Sequence, residues 1–209
     1  MKNTIKMNYN VLVPIGDSMQ EIKNQPLRNR GIKTKNNIIA VAFKSFFKNG
    51  YKKTTTIKIA KEAGVSIGIV YSYFKDKDEL LELWLNSLLK KSDEYFYNQF
   101  KLRIYDVELF LIIGNILEKL CDSFFCSPIV NEKDEKLTKI LNNFYLKEEK
   151  IFMNACNDSN IFVKHQNETA HIIFNLIKSY SEDLKNTKSR LNQDVLKDQY
   201  VISIYSLLK

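Results

Sequence analysis

Apolar side chains along this chain recur at intervals of three and four residues, and no stretch shows the strict alternation of a strand. Ile38, Ile39, Ala42, Phe43 and Phe46 form one such stripe and predict a helix from about Thr34 to Lys48. Two short helices follow, from about Thr56 to Ala63 and from Ile67 to Phe74. A long one then carries Leu80, Leu81, Trp84, Leu85, Leu88 and Leu89 from Lys77 to about Phe100. Further stripes predict helices near Asp106–Phe125, Glu132–Asn157, Asn167–Lys185 and Gln193–Leu208. Residues 1–33 lack this periodicity and contain Pro14, Gly16, Pro26 and Gly31, so they are expected to form a flexible extension. The pattern is that of an all-α protein.

The stretch from Gly50 to Leu80 has the most specific local chemistry. Thr54 and Thr55 offer hydroxyls to the free N–H groups of a first helical turn. Gly64 stands where the backbone must turn left-handed, a conformation that costs an ordinary L-residue about 1–2 kcal/mol. Ser66 supplies a second N-cap. Ile59, Ala60 and Ala63 share a face of the first short helix, Val70 and Phe74 one face of the second, and Val65 sits at the elbow. Two short helices joined by a tight glycine turn make a helix-turn-helix, the motif whose second helix enters the DNA major groove. Asp76 and Glu79 are spaced as a capping box for the helix that follows. Lys77, in the first turn of that helix, opposes its dipole unless an anion is near, and so suits a phosphate.

Gly50-Tyr51, Thr54-Thr55, Ile59-Ala60, Ala63-Gly64-Val65-Ser66, Gly68, Tyr71, Tyr73-Phe74 and Lys77 together resemble the DNA-binding signature of the TetR family of transcriptional regulators. Ile38, Ile39, Ala42 and Phe46 extend the likeness upstream, to cover roughly residues 34–80. The resemblance implies a homodimer that represses, or less often activates, nearby genes. It also implies DNA contacts from Thr54, Thr55, Ser66, Ile67, Gly68, Ile69, Tyr71, Ser72, Tyr73 and Lys77, with the two tyrosines on phosphate or sugar. Lys58 departs from the pattern, where an acidic residue is usual. The second short helix has no Arg, Asn or Gln for bidentate base contacts, so Ile67 and Ile69 point to thymine methyls and DNA shape as the readout.

Charge sharpens this picture. The net charge is +8, yet residues 28–77 alone hold twelve Lys or Arg against two acids, a surplus of ten, while residues 78–209 are acidic by three. A surplus confined to one segment favours a polyanionic partner for that segment. The basic run Arg28–Lys33 could reach an adjacent minor groove as an arm. Cys121, Cys126 and Cys156 form no CxxC pair, and an odd count argues for reduced thiols and a cytoplasmic location. No apolar run is long enough to cross a bilayer, and Val11–Ile15, broken by Pro14, makes no convincing secretory signal.

Catalytic chemistry finds no support. His165 and His171 are six apart, and no nucleophile–base set or metal-ligand spacing is visible. Glu132, Asp134, Glu135, Glu148 and Glu149 alternate with lysines and are expected on a solvated face. No cofactor is implied. Within the resembled family a ligand cavity is common, which selects Phe110, Phe144, Phe152 and Phe174 as lining for an unidentified apolar or aromatic effector. The last two helices correspond there to a four-helix dimer bundle. A single helix-turn-helix needs such a twin, because two recognition helices must reach half-sites about 34–36 Å apart.

The expectation is therefore an extension (1–33), a helix-turn-helix domain (34–80) and a helical effector-binding and dimerisation domain (81–209). Together they make a ligand-responsive regulator released from a palindromic operator. The alternative keeps DNA binding but places it under the control of a protein partner.

Overall fold

A computed structural model describes residues 26–100, 106–121, 127–159, 161, 163–186 and 192–209. Among them the chain is all-helical: α1 (Pro26–Asn49), α2 (Thr56–Ala63), α3 (Ile67–Tyr73), α4 (Lys77–Phe100), α5 (Asp106–Cys121), α6 (Glu135–Asp158), α7 (Gln166–Asn186) and α8 (Gln193–Leu207), with a 3-10 turn at Pro128–Asn131. Helix α1 starts earlier than the apolar stripe predicts. Arg28 to Lys33, expected in the extension, are helical, and residues 1–25 lie outside the described residues. Pro26 suits a first turn because its missing N–H would have had no partner there. Gly31 weakens the helix locally, but a Cβ at that position would lie 3.2 Å from the Tyr73 hydroxyl, so its small size admits the end of α3.

The chain divides into two compact units. The first runs to Leu88 and takes in Ser127–Leu137. Its core is Ile38, Ala42, Phe46, Ile59, Val70, Phe74, Leu80, Leu81 and Trp84, all nearly or wholly excluded from solvent. Phe46 and Trp84 stack with centroids 6.0 Å apart. The later segment is stapled onto the end of α1 and the turn beyond it. Ser127 Oγ donates to the carbonyl of Phe47 at 3.2 Å, and Lys52 N–H donates to Glu132 Oε2 at 2.8 Å. Lys52 Nζ donates to the carbonyl of Lys133, and Lys136 pairs with Asp78. At Gly50 (φ 79) the left-handed backbone calls for glycine, and a Cβ there would have to displace the Glu132 carboxylate from the turn.

These contacts alter the expected solvated carboxylates. Glu132 holds the turn, and Asp134 Oδ1 accepts from Leu137 N, capping α6, which therefore starts at Glu135 rather than Glu132. Asp76 Oδ1 accepts from the N–H groups of Asp78 and Glu79 as predicted for α4, while Glu79 Oε2 reaches back to Lys75 N at 2.7 Å rather than to Asp76.

The second unit comprises Leu89–Cys126 and Thr138–Lys209. Its core gathers Phe96 and Phe100 of α4, Ile113 and Leu117 of α5, Phe152 and Cys156 of α6, Ile173, Phe174 and Ile177 of α7, and Val201 and Ile204 of α8. Burial pushes the Cys156 thiol up to about 12, so it is inert at neutral pH. Glu148 is also buried, 4% exposed, against the expectation of a solvated face. Its position explains this: Leu137, Leu141, Phe144, Glu148, Phe152 and Cys156 succeed one another at three-to-four spacing along the inner stripe of α6, and all are buried.

Candidate nucleic-acid interface

Local backbone chemistry builds the helix-turn-helix. Thr55 caps α2, its side chain accepting from Lys58 N at 3.2 Å, and Gly64 ends the helix at φ 68, ψ 32. There the N–H of Val65 bonds the carbonyl of Ala60 at 3.0 Å and the N–H of Gly64 bonds that of Lys61 at 3.2 Å, a doubled cap that reverses the chain. Ser66 then caps α3 by accepting from Ile69 N. Val70 and Phe74 bury inward.

The outward face of α3 carries Ser66, Ile67, Gly68, Ile69, Tyr71 and Ser72, all exposed. Ile67 is 40% exposed, Ile69 39% and Tyr71 52%, so neither isoleucine is spent on the motif's own core. Tyr71 Oη lies 3.1 Å from Thr56 Oγ1, which joins α3 to the start of α2. Ser72 Oγ donates to the carbonyl of Ile69. Tyr73 is half-buried beside Phe74. Ile57, 66% exposed near the start of α2, was missed by sequence reasoning; its signal is its place off the Ile59–Ala60–Ala63 stripe. Lys35, Lys52, Lys53, Lys58, Lys61 and Lys75 supply exposed positive charge in the same unit.

Two expected contact residues sit elsewhere. Thr54 is fully buried, donating to the Gly50 carbonyl at 2.6 Å with Ser45 Oγ at 3.1 Å, so its hydroxyl braces the turn and does not face outward. Lys77 is turned inward: Nζ lies 3.6 Å from the Tyr51 ring centroid and donates to the carbonyls of Tyr51 (3.1 Å) and Thr54 (3.4 Å). Burial lowers its pKa, with Asp78 opposing. The lysine thus closes carbonyls of the α1–α2 turn, where a phosphate was expected. Below it, Tyr51 Oη donates to Asp78 Oδ1 at 2.5 Å, and burial followed by that carboxylate pushes the phenol above its ordinary range. Burial also acts to raise Asp78, but hydrogen bonds from Lys136 and Tyr51 outweigh it and hold the carboxyl below its usual value.

In the second unit the phenylalanines expected to line a cavity are dispersed. Phe152 is enclosed by Phe96, Phe100 and Phe174, with centroids 5.3, 5.9 and 6.0 Å away. Phe144 is buried beside Tyr145, and Phe110 is half-buried against Tyr205. A groove of about 400 Å³ between α6 and α7 is lined by Phe174 alone of the four, with Tyr145, Leu146 and Glu149 among its other walls. Among the described residues no cluster of His, Cys, Asp and Glu is arranged to hold a metal, and no helix is long and apolar enough to cross a membrane.

A capped helix pair with an outward second helix, in a basic unit that is all-helical among the described residues, has the form of a helix-turn-helix. Residues 38–83 match the family of bacterial regulatory proteins, tetR family. Over 71 residues it is 41% identical to the HTH-type transcriptional regulator HbdR of Aromatoleum sp., covering 34% of this chain and 31% of that one. Over 119 residues it is 29% identical to the HTH-type transcriptional regulator QacR of Staphylococcus aureus, covering 49% of this chain and 62% of that one. The chain thus spans about a third of the first relative and less than two thirds of the second. The fold is similar to the transcriptional regulator FadR of Bacillus subtilis, solved with stearoyl-CoA, at a TM-score of 0.62 and 19% identity over 81% of this chain and 97% of that one. It is likewise similar to a TetR transcription regulator from Haloarcula marismortui, at a TM-score of 0.58 and 16% identity over 85% of this chain and all of that one. At such identities the likeness speaks to the fold.

Proposed function

We propose that this protein is a cytoplasmic transcriptional repressor that binds a palindromic operator as a homodimer and leaves it when its second unit takes up a small effector. The exposed apolar and hydroxyl face of α3 carries the reading: a helix that leaves Ile67 and Ile69 about two-fifths exposed has a surface built for another molecule. Thymine methyls fit the isoleucines, while Thr55, Ser66, Gly68, Tyr71, Ser72 and Tyr73 with the surrounding lysines meet the backbone. Ile172 of α7 and Val195 and Ile202 of α8 are exposed apolar groups suited to a twin-to-twin bundle. Helix α4 contributes its first half to one unit and its second half to the other, and so offers a continuous element through which effector binding reaches the DNA unit.

The effector class proposed is apolar or aromatic, in keeping with the phenylalanine-rich second unit and with the acyl-CoA held by the Bacillus FadR neighbour. Moving a population from 99:1 to 1:99 requires about 5.5 kcal/mol of differential affinity. Footprinting on the DNA flanking its own gene tests the reading. Two protected half-sites in inverted repeat, about one helical turn apart, are expected; a single unsymmetrical footprint, or none, would overturn it.

A further inference from the structure

Ile57, in the first turn of α2, is left over by the packing of the motif itself. Among the described residues no large apolar side chain is more exposed, at 66%, while Ile59, Ala60 and Ala63 of the same helix are buried. A single exposed isoleucine is ordinary on a protein surface, but the neighbours of this one are not. Thr56 Oγ1 lies 3.1 Å from Tyr71 Oη, so the first turn of α2 lies against one flank of α3. Ile67 stands four residues before Tyr71 and shares that flank, one turn nearer the start of α3. Ile57, next along the chain from Thr56, therefore adds a third exposed apolar group to Tyr71 and Ile67, and carries their surface from α3 onto α2. Charge indicates what covers it. Lys61, one turn after Ile57 on the same face, is exposed, as are Lys53 and Lys58, and residues 28–77 hold the chain's positive surplus. An apolar patch rimmed by lysines complements a surface that is apolar at its floor and anionic at its edges, which is the DNA major groove where a thymine methyl lies between two rows of phosphates.

We propose that Ile57 reads a base, setting its side chain against a thymine methyl next to the base pairs under Ile67. In helix-turn-helix proteins the first helix of the pair ordinarily crosses the backbone and leaves the bases to the second. Here both helices read sequence. This deepens the operator reading given above and rests on it. Isoleucine has no donor or acceptor, so the contact depends on the methyl alone and not on any hydrogen-bonding group of the base. Each half-site is then longer than α3 by itself would read, and it carries a thymine at the added position.

Duplexes selected from a pool carrying a randomised inverted repeat, once by the full chain and once by Ile57→Ala, test the assignment. The wild type is expected to enrich a thymine at one position of each half-site, and Ile57→Ala to lose that preference while keeping the rest of the motif. Ile57→Val, which retains a branched apolar end, should keep it. Deoxyuridine in place of that thymine removes the methyl and leaves every hydrogen-bonding group. It should weaken the wild type about fourfold for each half-site and leave Ile57→Ala within about 1.5-fold. A motif unchanged in Ile57→Ala, or an equal deoxyuridine penalty in both proteins, overturns the inference and leaves the operator reading standing. A variant that loses affinity for all sequences alike also overturns it, by assigning Ile57 to packing. If the wild type enriches no inverted repeat, both readings fall.

Discussion

Replacing Glu148 by Gln should stabilise the protein increasingly as pH rises. The folded carboxyl is pushed by burial from its ordinary 4.5 to about 8, with the Ser92 hydrogen bond opposing. In the window between those values the folded state keeps a proton that the unfolded chain has released. Stability must then fall as pH rises through it, and the loss is complete above about 8. Each pH unit in the window costs about 1.4 kcal/mol, so the wild type gives up about 3 kcal/mol between pH 5 and pH 7 on this group alone. Glutamine keeps the shape and an acceptor for Ser92 but does not titrate. Near pH 5 both chains carry a neutral group, and the variant bears a cost of about 1–3 kcal/mol for an amide N–H without a partner. By pH 7 the balance should have moved toward the variant by about 3 kcal/mol. Urea unfolding followed by far-ultraviolet circular dichroism, at half-unit steps from pH 5 to 8.5 and one protein concentration, reads the difference directly. Other titrating groups are common to both chains and cancel. A difference between them that stays constant across this range would show that Glu148 is solvated or paired in the folded state.

Further outcomes follow from the first unit. Ile67→Ala, at an exposed position, should leave stability within about 0.5 kcal/mol and change base preference at one operator position, as read by binding to a randomised half-site library; an unchanged preference would remove Ile67 from the readout. Gly64→Ala should cost about 1–2 kcal/mol purely through its left-handed backbone, because an added Cβ there meets nothing within 4 Å; a calorimetric melt at wild-type temperature would contradict this. Lys77→Ala should lower the urea midpoint while leaving the salt slope of duplex binding unchanged, since its amine closes carbonyls of the turn; a slope smaller by about one would return Lys77 to the phosphate contacts.

Much of the first unit is legible residue by residue because its shape is decided over four residues or fewer. Thr55, Gly64, Ser66 and Asp76 act on N–H and carbonyl groups within one turn of themselves, and the elements they bound fall within a residue of where the spacing predicts. The isoleucines of α3 were readable as a candidate face for the same reason, since period alone separates them from Val70 and Phe74.

Glu148 escaped because Lys147, Glu149 and Lys150 surround it with the composition of a solvated helix. Its inward stripe with Phe144 and Phe152 is the stronger signal. Thr54 and Lys77 were misdirected because hydroxyl and amine look alike in sequence whether they meet a phosphate or a carbonyl of their own chain. That choice depends on Gly50, Ser45 and Tyr51, which tertiary packing gathers. The attachment of Ser127–Leu137 to the α1–α2 turn joins residues about eighty apart, beyond the reach of any local rule. Sequence by itself determined the helices, their caps and the glycine elbow, since these are settled by neighbours along the backbone. Only the tertiary structure decided which polar groups lose water and which distant segments close the turn, because desolvation depends on everything that surrounds a side chain at once.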